Sequence, residues 1–344
     1  MKACKLITAM LLFTLALTGC GAATGAPASP AGAPGSAAAS ASSQPASSSG
    51  AAAKPGPAAY KITVPYTAVS GAFAGLWVAA DQGFFSKYSI QADVRSMDAN
   101  VAGPALLSGE VEYAASPSLV SAILSGSDVT FIAALATHPI FAVYGAKGIS
   151  RMEDLKGKVI ADTIVGSAPD TSLRDLMTKH GLKEADVQFA HLPNPVAVLA
   201  AMQAGTAVAG ILPPPTTLRA RDAGFVELTS TLKDGLSGLS APIVTKKGRL
   251  KDKPDEARAV LLALKDATAF MHGNADATKQ IIGKYTKTDP GPDLDEVYNA
   301  FQPIWELGPV QAEDVAAVLR YLPDPRAATA DPRTFFDNSL VQSL

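Results

Sequence analysis

The chain has 344 residues, enough for two globular units of ordinary size once a leader is removed, and its 31 acidic and 29 basic side chains nearly balance. That balance leaves no basic excess of the kind that tracks a polyanion, so a nucleic-acid partner is excluded. The only cysteines are Cys4 and Cys20, and the chain beyond residue 20 therefore has no disulfide, no cysteine nucleophile and no thiolate metal site.

In chain order, Lys2 and Lys5 precede a short apolar run, Leu6 to Leu17, which closes on Leu17-Thr18-Gly19-Cys20. The run is short for a membrane span, and small residues before the cysteine fit signal-peptide cleavage. This leader, residues 1–20, resembles that of bacterial lipoproteins, which implies that Cys20 becomes the mature N-terminus, carries lipid and holds the protein at a membrane of the cell envelope. Residues 21–59 are almost entirely Ala, Ser, Gly and Pro, too poor in apolar bulk to offset the entropy of ordering, and read as a disordered tether.

Folded structure is expected from Tyr60 onward. Lys61–Pro65 reads as a strand, Ser70-Gly71 as a turn, and Ala72–Gln82 as a helix stopped by Gly83. A second strand at Ile90–Val94, a helix at Ala102–Leu107 and a buried strand at Val111–Ala115 follow. Ser116-Pro117-Ser118 then opens a helix, with Ser116 available as its cap. Val129–Ala136 and Phe141–Tyr144 complete a first lobe, residues 60–147, as parallel and crossing strands.

The same grammar begins again in a second lobe, residues 148–240. In LLSGEVEYAASP and in MQAGTAVAGILPPP, a glycine that ends a helix stands eight residues before a proline that opens the next, Gly109 to Pro117 and Gly205 to Pro213. Asp154–Leu182 reads as strand, glycine-containing loop and helix, with Ser167 and Asp170 at capping-box spacing and Gly181 as the stop. Free N–H groups at such a helix start suit a small polar ligand. Val187–Leu192, the turn Pro193-Asn194-Pro195, a helix from Val196 to Ala204, and strands at Val208–Leu212 and Phe225–Leu228 complete the lobe. Residues 241–344 return to the first lobe, with Ala241–Thr245 as the crossing strand and helices after Pro254 whose Ala257, Val260, Leu261, Leu264 and Met271 share one face. Alternating β and α elements predict an α/β fold with parallel sheets, which bind ligands beyond the carboxyl ends of their strands.

Four segments in order, LWVAADQGFFSKYSIQADV, ALLSGEVEYAASPS, MEDLKGKVIADTIVGSAPDTSLRDLMTKHGL and VLAAMQAGTAVAGILPPP, make residues 61–322 resemble the substrate-binding proteins of sulfonate, nitrate and thiamine-precursor ABC importers. The usual Gly-Leu before the second strand is here Tyr88-Ser89, and the tail after Asp324 matches nothing in the family pattern. The resemblance implies the type II periplasmic binding protein fold: two α/β lobes, a hinge, an inter-lobe cleft, and C-terminal helices on the first lobe. It further implies a monomeric receptor that closes around a small-molecule solute, hinging at Lys147–Asp154 and Gly238–Pro242, and delivers it to permease subunits without cofactor or chemistry.

Carried onto this chain, the ligand positions are Ser70, Gly71, Ser116, Ser118, Gly166, Ser167, Asn194 and Pro213, with His138 either touching ligand or sitting at the inter-lobe crossing. Ser70 reads equally as a turn former, Ser116 as a cap, and Asn194 between two prolines as structural. No arginine stands on these loops, Asp170 either opposes a negative ligand or serves the dipole of its own helix, and Pro213 to Pro215 with Tyr66 and Phe73 suggest a flat apolar wall. The resemblance implies a sulfonate or nitrate as solute, and this wall suits a carboxylate or aromatic compound as well. Thiamine-pyrimidine synthases share the fold, but their cysteine-rich signature is missing, and His138, His180, His191 and His272 form no metal-spaced pair. No catalytic residue and no metal ligand is assigned. A ligand-presenting sensor is the remaining alternative to an importer subunit.

Overall fold

Residues 60–344 are described by a computed structural model, and the expected leader, the lipid site at Cys20 and the tether lie outside them. The chain opens with β1 (Tyr60–Tyr66), whose Ile62, Val64 and Tyr66 are buried, and a 3₁₀ turn at Gly71–Phe73 leads into α1 (Ala74–Asp81). A short α2 (Phe84–Lys87) occupies the stretch where the sequence predicts only a connection. Then come β2 (Ile90–Ser96), α3 (Ala99–Ser108), β3 (Tyr113–Ala115), α4 (Val120–Leu124) and β4 (Val129–Ala136). The next run is β5 (Ala142–Gly145), β6 (Val159–Asp162), α5 (Ala168–Lys179), β7 (Gln188–His191), α6 (Pro195–Gln203), β8 (Ala209–Leu212), α7 (Thr216–Asp222) and β9 (Val226–Ser230). The chain closes with β10 (Ser240–Lys246), α8 (Lys247–Asp252), α9 (Pro254–Gly273), α10 (Ala275–Thr286), α11 (Pro292–Phe301), β11 (Trp305–Gly308), α12 (Ala312–Leu319) and α13 (Ser339–Gln342).

One sheet has the order β11-β4-β10-β3-β1-β2 and the other β7-β6-β8-β5-β9. The repeat seen in the sequence is visible in this order. Each sheet has a parallel trio, β2-β1-β3 and β7-β6-β8, flanked by one antiparallel strand, β10 or β5. The two glycines that mark the repeat, Gly109 and Gly205, both take left-handed φ, 85° and 72°, where a side chain would be strained.

Two expectations are corrected. The sheets are mixed rather than parallel, because each receives a strand that has crossed from the other lobe. Phe141–Tyr144, expected to finish the first lobe, supplies β5 of the second sheet, pairing with β8 and β9. An apolar run such as FAVY states that a strand is buried and says nothing of which sheet it joins.

The crossings are thus residues 137–141 and 231–239, and only the start of the expected second hinge, Gly238 and Leu239, overlaps them. The expected first hinge, Lys147–Asp154, lies wholly between two strands of the second sheet. Thr231 ties the two crossings together: its N–H donates to Phe141 O (2.9 Å), its hydroxyl donates to Pro139 O (2.7 Å), and its Oγ1 accepts from Phe141 N (3.0 Å).

Apolar packing follows the sheets. α1, α9, α10 and α11 bury Leu76, Trp77, Leu261, Leu264 and Phe301 against the first sheet, and the face predicted for α9 is buried throughout. In the second sheet β5 alternates, Val143 facing Leu173 and Met177 of α5 while Ala142 and Tyr144 face Val198 and Met202 of α6. The tail after Asp324 also belongs to the body: Phe335 is buried and Phe336 bridges to Phe131 of β4.

Candidate functional site

Six strands of the two sheets, β1, β2, β3, β6, β7 and β8, run out toward one internal cavity, and the loops just past their carboxyl ends line it. From the first sheet come Thr67, Ser70, Phe73, Ala99, Pro117 and Ser118; from the second come Thr163, Ser167, Pro193, Asn194 and Pro213. Phe141 at the end of the first crossing and Ser240 and Ala241 at the start of β10 complete the wall. The enclosed space is about 50 Å³, room for a few waters or one compact group, so the lobes stand close together.

Contacts on both flanks hold them so. Asn194 Nδ2 donates to Asp98 Oδ1 at 3.1 Å, Arg221 pairs with Glu296 and Asp293 at 3.0 and 3.2 Å, and Arg320 pairs with Asp175 at 2.8 Å. Each joins an element of one sheet to an element packed on the other, and each is exposed enough to contribute little singly.

Five residues chosen from the sequence line the cavity: Ser70, Ser118, Ser167, Asn194 and Pro213. Ser116 and Gly166 stand just behind it. Ser116 is fully buried but makes no cap; its Oγ instead meets Ser118 Oγ at 2.9 Å. Gly166 has φ 78° and turns the chain into α5. His138 sits exposed on the crossing, with Nδ1 2.9 Å from Thr137 Oγ1, and is not in the lining.

Gly71 is also outside the lining, for a packing reason. A Cβ there would lie 2.3 Å from Phe301 Cδ2, and its carbonyl accepts the buried indole N–H of Trp305 at 2.8 Å. Gly71→Ala is expected to cost about 1–3 kcal/mol in urea unfolding and to displace Ser70 from the cavity wall.

Sequence reasoning missed the groups that hold the second lobe's wall in place. Ser167 caps α5 as expected, its Oγ accepting from Asp170 N at 3.4 Å and lying 2.7 Å from Thr163 Oγ1. Asp170 does not complete the capping box, because its Oδ2 accepts from Gly166 N (2.8 Å) while Oδ1 binds Arg174 Nε (2.7 Å). Arg174 is itself buried, stacks over Phe189 with its guanidinium 4.5 Å from the ring, and also pairs with Glu184. The four-residue spacing of Asp170 and Arg174 is visible in the sequence, but ordinarily marks a solvated helix face.

Beside this pair lies Asp162, fully buried at the end of β6. His191 Nδ1 approaches Asp162 Oδ1 to 2.7 Å, but the alignment is not that of a hydrogen bond, and neither carboxylate oxygen has a hydrogen-bond partner among the described residues. Burial first, then the neighbouring Asp170, pushes the Asp162 carboxyl up to about 9. Ligand atoms of Asp162, Asp170 and His191 lie within 4.8 Å of one another, close enough for a cation. Arg174 already supplies the positive charge at Asp170, so a proton on Asp162 suits the group better than a metal would.

A profile described as NMT1/THI5 like matches residues 70–278, more than half of the chain. The chain belongs to the NMT1/THI5-like family. No curated protein sequence matches this NMT1/THI5-like chain. Among solved structures it is similar to the alkanesulfonate-binding protein SsuA of Xanthomonas axonopodis pv. citri bound to MOPS, at 18% identity and TM-score 0.66, covering 83% of this chain and 97% of that one. It is likewise similar to the periplasmic nitrate-binding protein NrtA of Synechocystis PCC 6803, at 15% identity and TM-score 0.67, covering 82% and 87%. The desulfurization enzyme DszB shares the fold too, at 12% identity and TM-score 0.61, covering 82% and 98%. Such identities establish the periplasmic binding protein fold. Because one of these three similar structures is an enzyme and two are binding proteins, the reaction or its absence has to be argued from the cavity.

Proposed function

We propose that this protein is the solute-binding receptor of an ABC importer: it captures a small organic or anionic solute between its lobes, closes by rotation at the paired crossings, and presents the closed form to permease subunits. One observation carries the reading: a single cavity is walled by strand-end loops of both sheets, so a bound solute makes more contacts with the lobes together than with either alone. Such a ligand shifts an existing open-to-closed equilibrium by its differential affinity for the two states. Ser70, Ser118, Ser167, Asn194 and Pro213 are the proposed contacts, while Gly71, Ser116 and Gly166 shape the loops that carry them.

The receptor reading is preferred to an enzyme because proton transfer needs a titratable group at the reacting atoms, and the cavity wall is built of hydroxyl, amide and apolar groups. Among the described residues no helix is long and apolar enough to cross a membrane, which fits a receptor held at the envelope through the lipid proposed for Cys20. Native mass spectrometry of gently purified protein tests the reading, with a bound small molecule expected. Ser118→Trp, which fills the cavity from the first lobe, should abolish that adduct while leaving the unfolding midpoint within about 2 °C. An unchanged adduct in Ser118→Trp would place binding elsewhere.

A further inference from the structure

We infer that the solute taken by this cleft is uncharged, with an apolar body and at least one N–H or O–H donor. The inference deepens the receptor reading and rests on it. Its first ground is that no charged side chain lines the cavity. An enclosed sulfonate or nitrate would give up its hydration without meeting a counter-charge, which is costly unless fixed donors replace the water.

Several of the donors that could do so are committed elsewhere, and at the first turn of α5 only Ala168 N has no partner among the described residues. At the start of α5, Gly166 N donates to Asp170 Oδ2 (2.8 Å), Ser167 N to Ile164 O (2.9 Å) and Asp170 N to Ser167 Oγ (3.4 Å). The carboxylate of Asp170 therefore occupies the anion position of its own helix, the place where a ligand anion would otherwise sit. At the start of α6, Ala197 N donates to Asn194 Oδ1 (3.0 Å), and Asn194 Nδ2 is drawn to the Asp98 carboxylate at the rim. In the turn before α1, Ala72 N donates to Ser70 Oγ (3.4 Å). Two carboxylates, Asp98 and Asp170, thus bond to the loops that form the wall, and Asp170 is neutralised by Arg174.

The lining hydroxyls add acceptors beside the apolar groups, while Ser70, which accepts from Ala72 N, keeps its own proton. Thr67 donates to Ala115 O (3.3 Å), which leaves its oxygen to the cavity as an acceptor. Within each of the pairs Ser116–Ser118 (2.9 Å) and Thr163–Ser167 (2.7 Å) one proton is consumed between the two oxygens. A surface with spare acceptors and apolar neighbours, Phe73, Phe141 and Pro213, is matched by a molecule that brings its own N–H or O–H.

Matched probes that differ in charge test this: methanesulfonamide against methanesulfonate, and benzenesulfonamide against benzenesulfonate, titrated calorimetrically into stripped full-length protein at neutral pH, with nitrate as a fifth probe. The neutral, donor-bearing member of each pair should bind at least about tenfold more tightly, with an affinity unaffected by salt up to about 0.5 M. Tighter binding of either sulfonate, or of nitrate, overturns the inference. In parallel, the protein is incubated with a concentrated extract of spent growth medium and the captured solute is weighed and charged by mass spectrometry; a neutral molecule supports the inference and an anion overturns it. A protein that takes nothing from the extract and binds no probe would sink the receptor reading beneath both.

Discussion

Arg174→Ala should destabilise the protein by about 3–5 kcal/mol, the cost of leaving a buried carboxylate without its counter-charge. Asp170 is wholly inaccessible and Arg174 nearly so, with side-chain exposures of 0% and 6%, so water cannot replace the lost guanidinium. Asp170→Asn combined with Arg174→Ala should recover part of the loss, because the orphaned charge is then gone while an amide oxygen can still accept from Gly166 N. Chemical denaturation of the wild type, the single variant and the double variant measures both effects. A loss below about 1 kcal/mol in Arg174→Ala would mean that Asp170 reaches solvent or takes up a proton without penalty.

Asp162→Asn is the second large effect, and it shows in the pH dependence. Burial and the neighbouring Asp170 push the Asp162 carboxyl of the folded protein up to about 9, far above the value of about 3.9 for an unfolded aspartate. Between those values the native state binds a proton that the unfolded chain has released. The stabilisation is complete below about pH 4 and is lost as pH rises toward 9, at up to about 1.4 kcal/mol per unit. Asparagine cannot ionise and offers an N–H where the protonated acid offers an O–H, so the variant should lose this part of the slope. Unfolding free energies at pH 5, 7 and 9, compared between the two proteins, supply the test, and identical slopes would show that Asp162 is ionised throughout.

Both effects concern groups that the sequence hides. Strand and helix positions were legible because apolar periodicity, glycine stops and proline starts are local signals, and the repeat around Gly109 and Gly205 survives as a parallel trio with one antiparallel neighbour in each sheet. Sheet membership was not legible: β5 looks like any buried strand, and its transfer to the second lobe depends on a crossing whose partner, Thr231, is 90 residues from Phe141. The cavity wall was partly legible. Ser70, Ser118, Ser167, Asn194 and Pro213 follow strands in chain order and can be found by that grammar, as Phe73 can by its aromatic bulk, whereas Thr67 and Thr163 line the same space without any marking residue type. Asp162 is the plainest case. A single aspartate ending a strand reads as a solvated turn residue, and only the fold puts Asp170 and His191 against it.

The central claim is that two lobes joined at the crossings close on a solute that neither holds alone. Single-molecule energy transfer between dyes on Glu110 and Gln203, exposed positions on opposite lobes, reads this directly. The protein is stripped by unfolding and refolding, with both positions changed to cysteine and Cys4 and Cys20 replaced. Two inter-lobe distances are expected in the stripped protein, collapsing to the shorter one when the solute recovered by native mass spectrometry is returned. One unchanged distance with and without that solute would contradict the account.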